Sequence, residues 1–209
     1  MAEHPPGGGA PVRLRRSGWP VLRTPRWLLA GAVVLVAGLV LAAIPHRPST
    51  AQRAADLRGF VHDMTTGIES CAGGVTESLT ALHAIQAGTS HDLKTAIGIA
   101  SYGVSNCSPA NSMPLDDLVQ YQVPESLAEF HLDAAVNDLV TWAFPLAQRV
   151  QADVARELGG HSASDRASAG TALRHDLAAL DAQRATINKM IMSAARSLSA
   201  RVTPPPLPG

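Results

Sequence analysis

Four stretches of this chain place apolar residues at alternating spacings of four and three, and that rhythm admits few folds. The first runs through Leu57, Val61, Met64, Ile68, Cys71, Val75, Leu82 and Ile85, with Ser78 as a polar intruder. The second uses Leu93, Ile97, Ala100, Val104 and Cys107, and the third Leu132, Val136, Leu139, Ala143, Leu146 and Val150. The fourth uses Leu173, Leu177, Leu180, Ile187, Ile191, Ala194 and Leu198. A seam of this period belongs to helices packed at shallow angles. The pattern predicts an all-α fold, an up-and-down four-helix bundle over residues 49–201.

The breaks between the stretches support that division. Gly88-Thr89-Ser90 separates the first two, with Ser90 as the expected N-cap of the second helix. Pro109, Pro114 and Pro124 punctuate a connection over 108–123, in which Leu115–Tyr121 has the makings of a short helix. Pro124 suits the first position of the third helix, and Pro145 should kink that helix near Trp142–Phe144. Gly159-Gly160 ends it, and Ser162 or Ser164 caps the fourth. The residues VTPPPLPG, within 202–209, read as a Pro-rich, polyproline-like spacer tail.

The two cysteines test the hairpin. Residue 89, in the expected turn, lies midway between Cys71 and Cys107, so an antiparallel hairpin brings both to one level. Both also occupy seam positions, and one disulfide is expected. Closing a loop of that length stabilises a fold by about 3–4 kcal/mol in the chain-entropy model.

Ahead of the bundle, residues 27–44 read WLLAGAVVLVAGLVLAAI, without a charge. As a helix this run spans roughly 27 Å, about the thickness of a thin hydrocarbon core. Arg13, Arg15, Arg16, Arg23 and Arg26 precede it, with Glu3 opposing them, so the positive-inside rule leaves the N-terminus cytoplasmic. The expectation is a basic, disordered cytoplasmic tail over 1–26 and an uncleaved transmembrane signal anchor over 27–44. It makes the chain a single-pass cell-membrane protein with an extracytoplasmic bundle. Gly38 and Ala42 form a small-x-x-x-small pair suited to homodimerisation through the membrane helix.

Composition narrows the partners. Residues 50–209 carry eleven Lys and Arg against sixteen Asp and Glu, an acidic balance that argues against nucleic acid. Two lysines against fifteen arginines, with abundant Ala, Gly and Pro, suggest a GC-rich bacterial genome and an envelope protein.

Chemistry-bearing motifs are scarce. His62, His83, His91, His131, His161 and His175 include no pair at i,i+3 or i,i+4, so no metal site and no cofactor are expected. Glu125, Glu129, Asp133 and Asn137 form a polar stripe at helical spacing, read as a solvated face rather than an acid/base pair. Arg184 interrupts the fourth seam between Leu180 and Ile187, and it is expected either to snorkel or to form a buried ion pair with Asp138 on the third helix or a neighbouring acid, which would offset its burial. The connection 108–123 offers Asp116, Asp117, Gln120 and Tyr121 as contact candidates. No GxSxG, P-loop or GxGxxG motif is present, and a non-enzymatic chain is expected.

These readings converge on a membrane-tethered extracytoplasmic interaction or scaffold module that binds another envelope protein. The alternative is a small-ligand-sensing bundle that signals through a partner. Its architecture would be similar to the outer domains of bacterial chemoreceptors, a likeness of fold alone.

Overall fold

The computed structural model describes residues 48–111 and 123–207. The chain divides into Met1–His46 and Arg47–Gly209, and every described residue belongs to the second unit. The described residues form helices α1 (Thr50–Gln86), α2 (Leu93–Asn106), α3 (Leu132–Asp138), α4 (Phe144–Gly159) and α5 (Ala163–Ser197). Short 3-10 turns occupy Pro109–Asn111 and Glu125–Phe130, and a π-helical turn, Leu139–Ala143, joins α3 to α4 without a break. The fold is therefore all-α, with five helices in four segments among the described residues.

The local chemistry accounts for the boundaries. The Ser49 hydroxyl caps α1 by accepting from the Gln52 N–H at 3.1 Å. Gly88, at φ 69°, ends that helix in a Schellman arrangement. The Gly88 N–H donates to Ile85 O, and the Thr89 N–H to Ala84 O. The cap of α2 is Asp92, not Ser90. The Asp92 carboxylate accepts from the Thr95 N–H at 3.0 Å and from the Thr95 hydroxyl at 2.6 Å, which holds it below its ordinary pKa. The Ser90 hydroxyl instead accepts from the Asp92 N–H, at the long distance of 3.4 Å. Ser162 and Asp165 form a reciprocal capping box on α5.

The third stretch departs most from expectation. Pro124 opens a 3-10 turn rather than an α-helix, and His131, at φ 51°, breaks the backbone before α3. Leu127 and Leu132 are both fully buried. Five residues apart, they would face well apart on one continuous α-helix, and the left-handed step re-aims them to a common core. Arg53 of α1 clamps this turn. It donates to Ser126 O at 3.0 Å, pairs with Glu129 and lies over the Phe130 ring at 5.1 Å.

Pro145 acts as its chemistry dictates. Lacking an N–H, it has nothing to donate to the carbonyl of Thr141, and the preceding turn loosens to π, with the Phe144 N–H bonded to Leu139 O. Leu139, Ala143, Phe144, Leu146 and Ala147 stay buried through the loosened turn, and Trp142 is left 57% exposed.

An up-and-down four-helix ring does not form. Helix α4 is central, packing against α1, α2 and α5, whereas α1 and α5 touch only sparsely. Helix α2 has 14 residues against 37 in α1, too short to flank its partner along its length. The 3-10 turn and α3 occupy the remaining positions. The core is mainly aliphatic, with Leu57, Met64, Ile68, Leu180, Ile187 and Ile191 fully enclosed beside the rings of Phe60 and Phe144. The core extends into the C-terminal segment. The chain folds back after Ser199, itself at φ 51°, and brings Leu207 into the core at 4% exposure, so these residues are not a free spacer.

The membrane reading is also corrected. No helix among the described residues is long and apolar enough to cross a membrane. The two long helices carry charges throughout, from Arg53 to Glu77 in α1 and from Asp165 to Arg196 in α5. The run 27–44, on which the transmembrane signal anchor rested, lies outside the described residues. The single-pass cell-membrane location with an extracytoplasmic domain is therefore set aside. So are the membrane-tethered envelope module with its envelope partner, its sensing alternative, and homodimerisation through a membrane helix.

Candidate functional site

Cys71 and Cys107 are joined by a disulfide with Cα atoms 4.5 Å apart, fully buried and closing a separation of 36 residues. One turn away the helices approach at two glycines. A Cβ built on Gly74 would stand 3.4 Å from the Gly103 Cα, so α1 and α2 are in backbone contact there. Helix α4 seals the crossing from the inner side with Gln151, whose side chain is fully buried. The Gln151 amide nitrogen lies 2.9 Å and 2.7 Å from where the Gly74 and Gly103 Cβ atoms would be, and it has no hydrogen-bond partner among the described residues. Its oxygen is 3.8 Å from Cys107 Sγ, a sulfur with no proton to give in the disulfide. Nearby, Gln148 donates to Cys107 O at 2.8 Å, and the Ser78 hydroxyl donates to Gly74 O at 2.7 Å. The polar intruder of the first seam is thus satisfied by its own helix.

A groove of about 420 Å³ opens between α1 and α2 at this crossing, lined by Gly74, Glu77, Thr95, Gly98, Ile99, Tyr102, Gly103 and Asn106. Tyr102 is 74% exposed. A Cβ on Gly98 would meet nothing within 4 Å, so this mid-helix glycine serves no packing purpose among the described residues. Lys94 is the one charged residue of α2.

A second cavity, of about 510 Å³, lies at the α4–α5 turn beside Arg156, Gly159, Gly160, His161, Asp165 and Ser168. Its charged groups are already engaged. Arg156 pairs with Asp153, and Asp165 belongs to the capping box. Deeper in the same interface, Asp153 is 1% exposed. Its carboxyl is pushed up by burial and by the neighbouring Asp176 charge, against the pull of Arg156 and Arg149. Burial would raise Asp176 too, but hydrogen bonds with His175 at 3.1 Å and from Arg149 at 2.8 Å outweigh it and lower that group.

The other expected site residues are dispersed. Asp116, Asp117, Gln120 and Tyr121 lie outside the described residues. Arg184 is partly exposed between the buried Leu180 and Ile187 and donates to Asp181 at 2.8 Å on its own helix. We propose that it also pairs with Asp138 of α3. Glu125, Glu129, Asp133 and Asn137 are exposed, on either side of the His131 break. The six histidines considered are exposed, and among the described residues no three His, Cys, Asp or Glu side chains converge to hold a metal.

Sequence reasoning passed over the Gly74–Gly103–Gln151 junction. A signal was present, because Gly74 and Gly103 are very nearly equidistant from the turn that levels the cysteines. Each also sits where a helix is weakened by glycine. The chain matches no protein-family model, no curated protein and no solved structure.

Proposed function

We propose that the folded unit is a non-catalytic docking domain whose contact surface is the α1–α2 groove. The observation that carries this reading is the open space at Gly98 beside the exposed Tyr102 ring. A glycine in a helix interior costs about 1 kcal/mol relative to alanine, and no contact among the described residues offsets that cost. Interface cores are enriched in aromatic residues and poor in charge, and α2 fits that composition. The disulfide one turn below holds the two walls of the groove in place, which reduces the ordering cost of binding. A non-catalytic role draws support from the carboxylates with shifted ionisation. Asp92, Asp153 and Asp176 are each engaged in a cap or an ion pair.

The reading separates from the envelope module set aside above. It requires no membrane attachment, and it places contact on α2 rather than on 108–123. The test is chemical footprinting of Tyr102 in the source cells and in the dilute purified chain. Protection of Tyr102 in cells relative to the purified chain is expected. Equal labelling in both would overturn the docking role.

A further inference from the structure

We infer that the occupant of this surface is the same surface of a second copy of the chain, with two α2 helices packed antiparallel about a two-fold axis at Gly98. This rests on the docking reading and deepens it by naming the partner. Lys94, Gly98 and Tyr102 stand at i, i+4 and i+8 and so lie along one face of α2. An axis through Gly98 brings the residue four before it opposite the residue four after it in the other copy. Lys94 therefore meets the partner's Tyr102, and Tyr102 meets the partner's Lys94.

The chemistry at both ends of that stripe is complementary. An ammonium over a tyrosine ring is attracted by the ring quadrupole. Glu77 lines the same groove as Tyr102, so a lysine that reaches the ring enters a groove that also carries a carboxylate. Each copy thus offers one cation and one aromatic–acidic receptor, placed symmetrically about Gly98. Helix α2 carries no second charge to create a repulsion across the axis. A face that binds itself across a two-fold axis must be self-complementary, and a stripe that serves only a foreign helix need not be. The absent side chain at Gly98 allows two helix backbones to approach closely at the crossing point, where side-chain size sets the interaxial distance.

Sedimentation equilibrium of the full chain over a concentration series decides the matter. The wild type is expected to show a concentration-dependent dimer. Gly98→Gln places a better helix former in open space, so it should keep its helicity, and keep its Tm at concentrations where the wild type is monomeric, while losing the dimer. Lys94→Glu and Glu77→Lys should each weaken dimerisation at least about tenfold, and the two substitutions together should recover part of that loss, because the ion pair re-forms while the contact with the Tyr102 ring does not. The inference is overturned by a wild type that stays monomeric across the series. It is equally overturned by a dimer that survives Gly98→Gln, or by a charge exchange that fails to rescue. If the purified chain is monomeric while Tyr102 is still protected in cells, the second copy is excluded and the docking role stands. Equal labelling of Tyr102 removes the docking role itself.

Discussion

Gly103→Ala tests the glycine crossing through the sign of its effect. The new methyl carbon would lie 2.7 Å from the Gln151 amide nitrogen, 3.1 Å from its Cδ and 3.4 Å from Gly74 O. Ordinary contact needs several tenths of an ångström more, and the Gln151 side chain is fully enclosed beside the disulfide. Overpacking of this kind costs about 1–3 kcal/mol. Replacing a helical glycine by alanine returns about 1 kcal/mol. The net in the wild-type background is about 1 kcal/mol of destabilisation, taking the middle of that range. In a Gln151→Ala background the obstructing amide is gone and the helix preference acts unopposed, so the same change should stabilise by about 1 kcal/mol. Urea unfolding of the four variants, with the m-value checked for constancy, yields the coupling, expected near 2 kcal/mol. A stabilising Gly103→Ala in the wild-type background would refute the packing argument, because it would show that the amide moves aside at no cost.

The Asp153 carboxyl is raised in the folded state, so its contribution to stability is full below the unfolded-state pKa and is lost as pH rises through the folded value. Asp176 is lowered, so its contribution is present above the unfolded-state value and is lost as pH falls through the folded one. Tm measured against pH should show Asp153→Asn gaining on the wild type as pH rises and Asp176→Asn losing most near neutrality; pH-independent differences would contradict both signs. Leu207→Ala should cost about 2–3 kcal/mol in urea unfolding, as for other buried leucines, where a free tail would show no change. For the proposed Arg184–Asp138 pair, a double-mutant cycle to alanine should give a coupling of about 0.5–1 kcal/mol, and zero coupling would reject the pair. Replacing Cys71 and Cys107 together by alanine should lower stability by about 3–4 kcal/mol, and added reductant should then have no further effect on the unfolding midpoint.

What could be read in advance was whatever rests on periodicity and symmetry. The seams of α1, α2 and α5 predict helices because a one-sided apolar stripe must be buried. The equal distances of Cys71 and Cys107 from one turn foretell their bond. Features that depend on a three-dimensional compromise were not legible. The break at His131 arises because Leu127 and Leu132 must reach one core, and neither residue alone signals it. Pro145 signals a disturbance, but whether it kinks the helix or loosens it to π depends on neighbours that hold Leu139 and Phe144 in place. Asp92 displaced Ser90 as cap because two further residues fitted in the turn. Leu207 was hidden by the prolines around it, which look like a spacer until the backbone turns at Ser199. The candidate surface was half visible. Lys94, Gly98 and Tyr102 are plain in the sequence, but an exposed glycine looks the same as a packed one until its surroundings are known.

The disulfide joins two helices that are consecutive in the chain and is roofed by a third that is made later. Gln148 and Gln151 of α4 sit against Cys107, and both sulfurs are closed to solvent in the finished fold. Oxidation of a thiol pair requires an oxidant to reach the sulfur. An oxidant can therefore reach the two thiols only in states in which α4 is not seated on the α1–α2 pair, and in the finished fold the same roof keeps a reductant out.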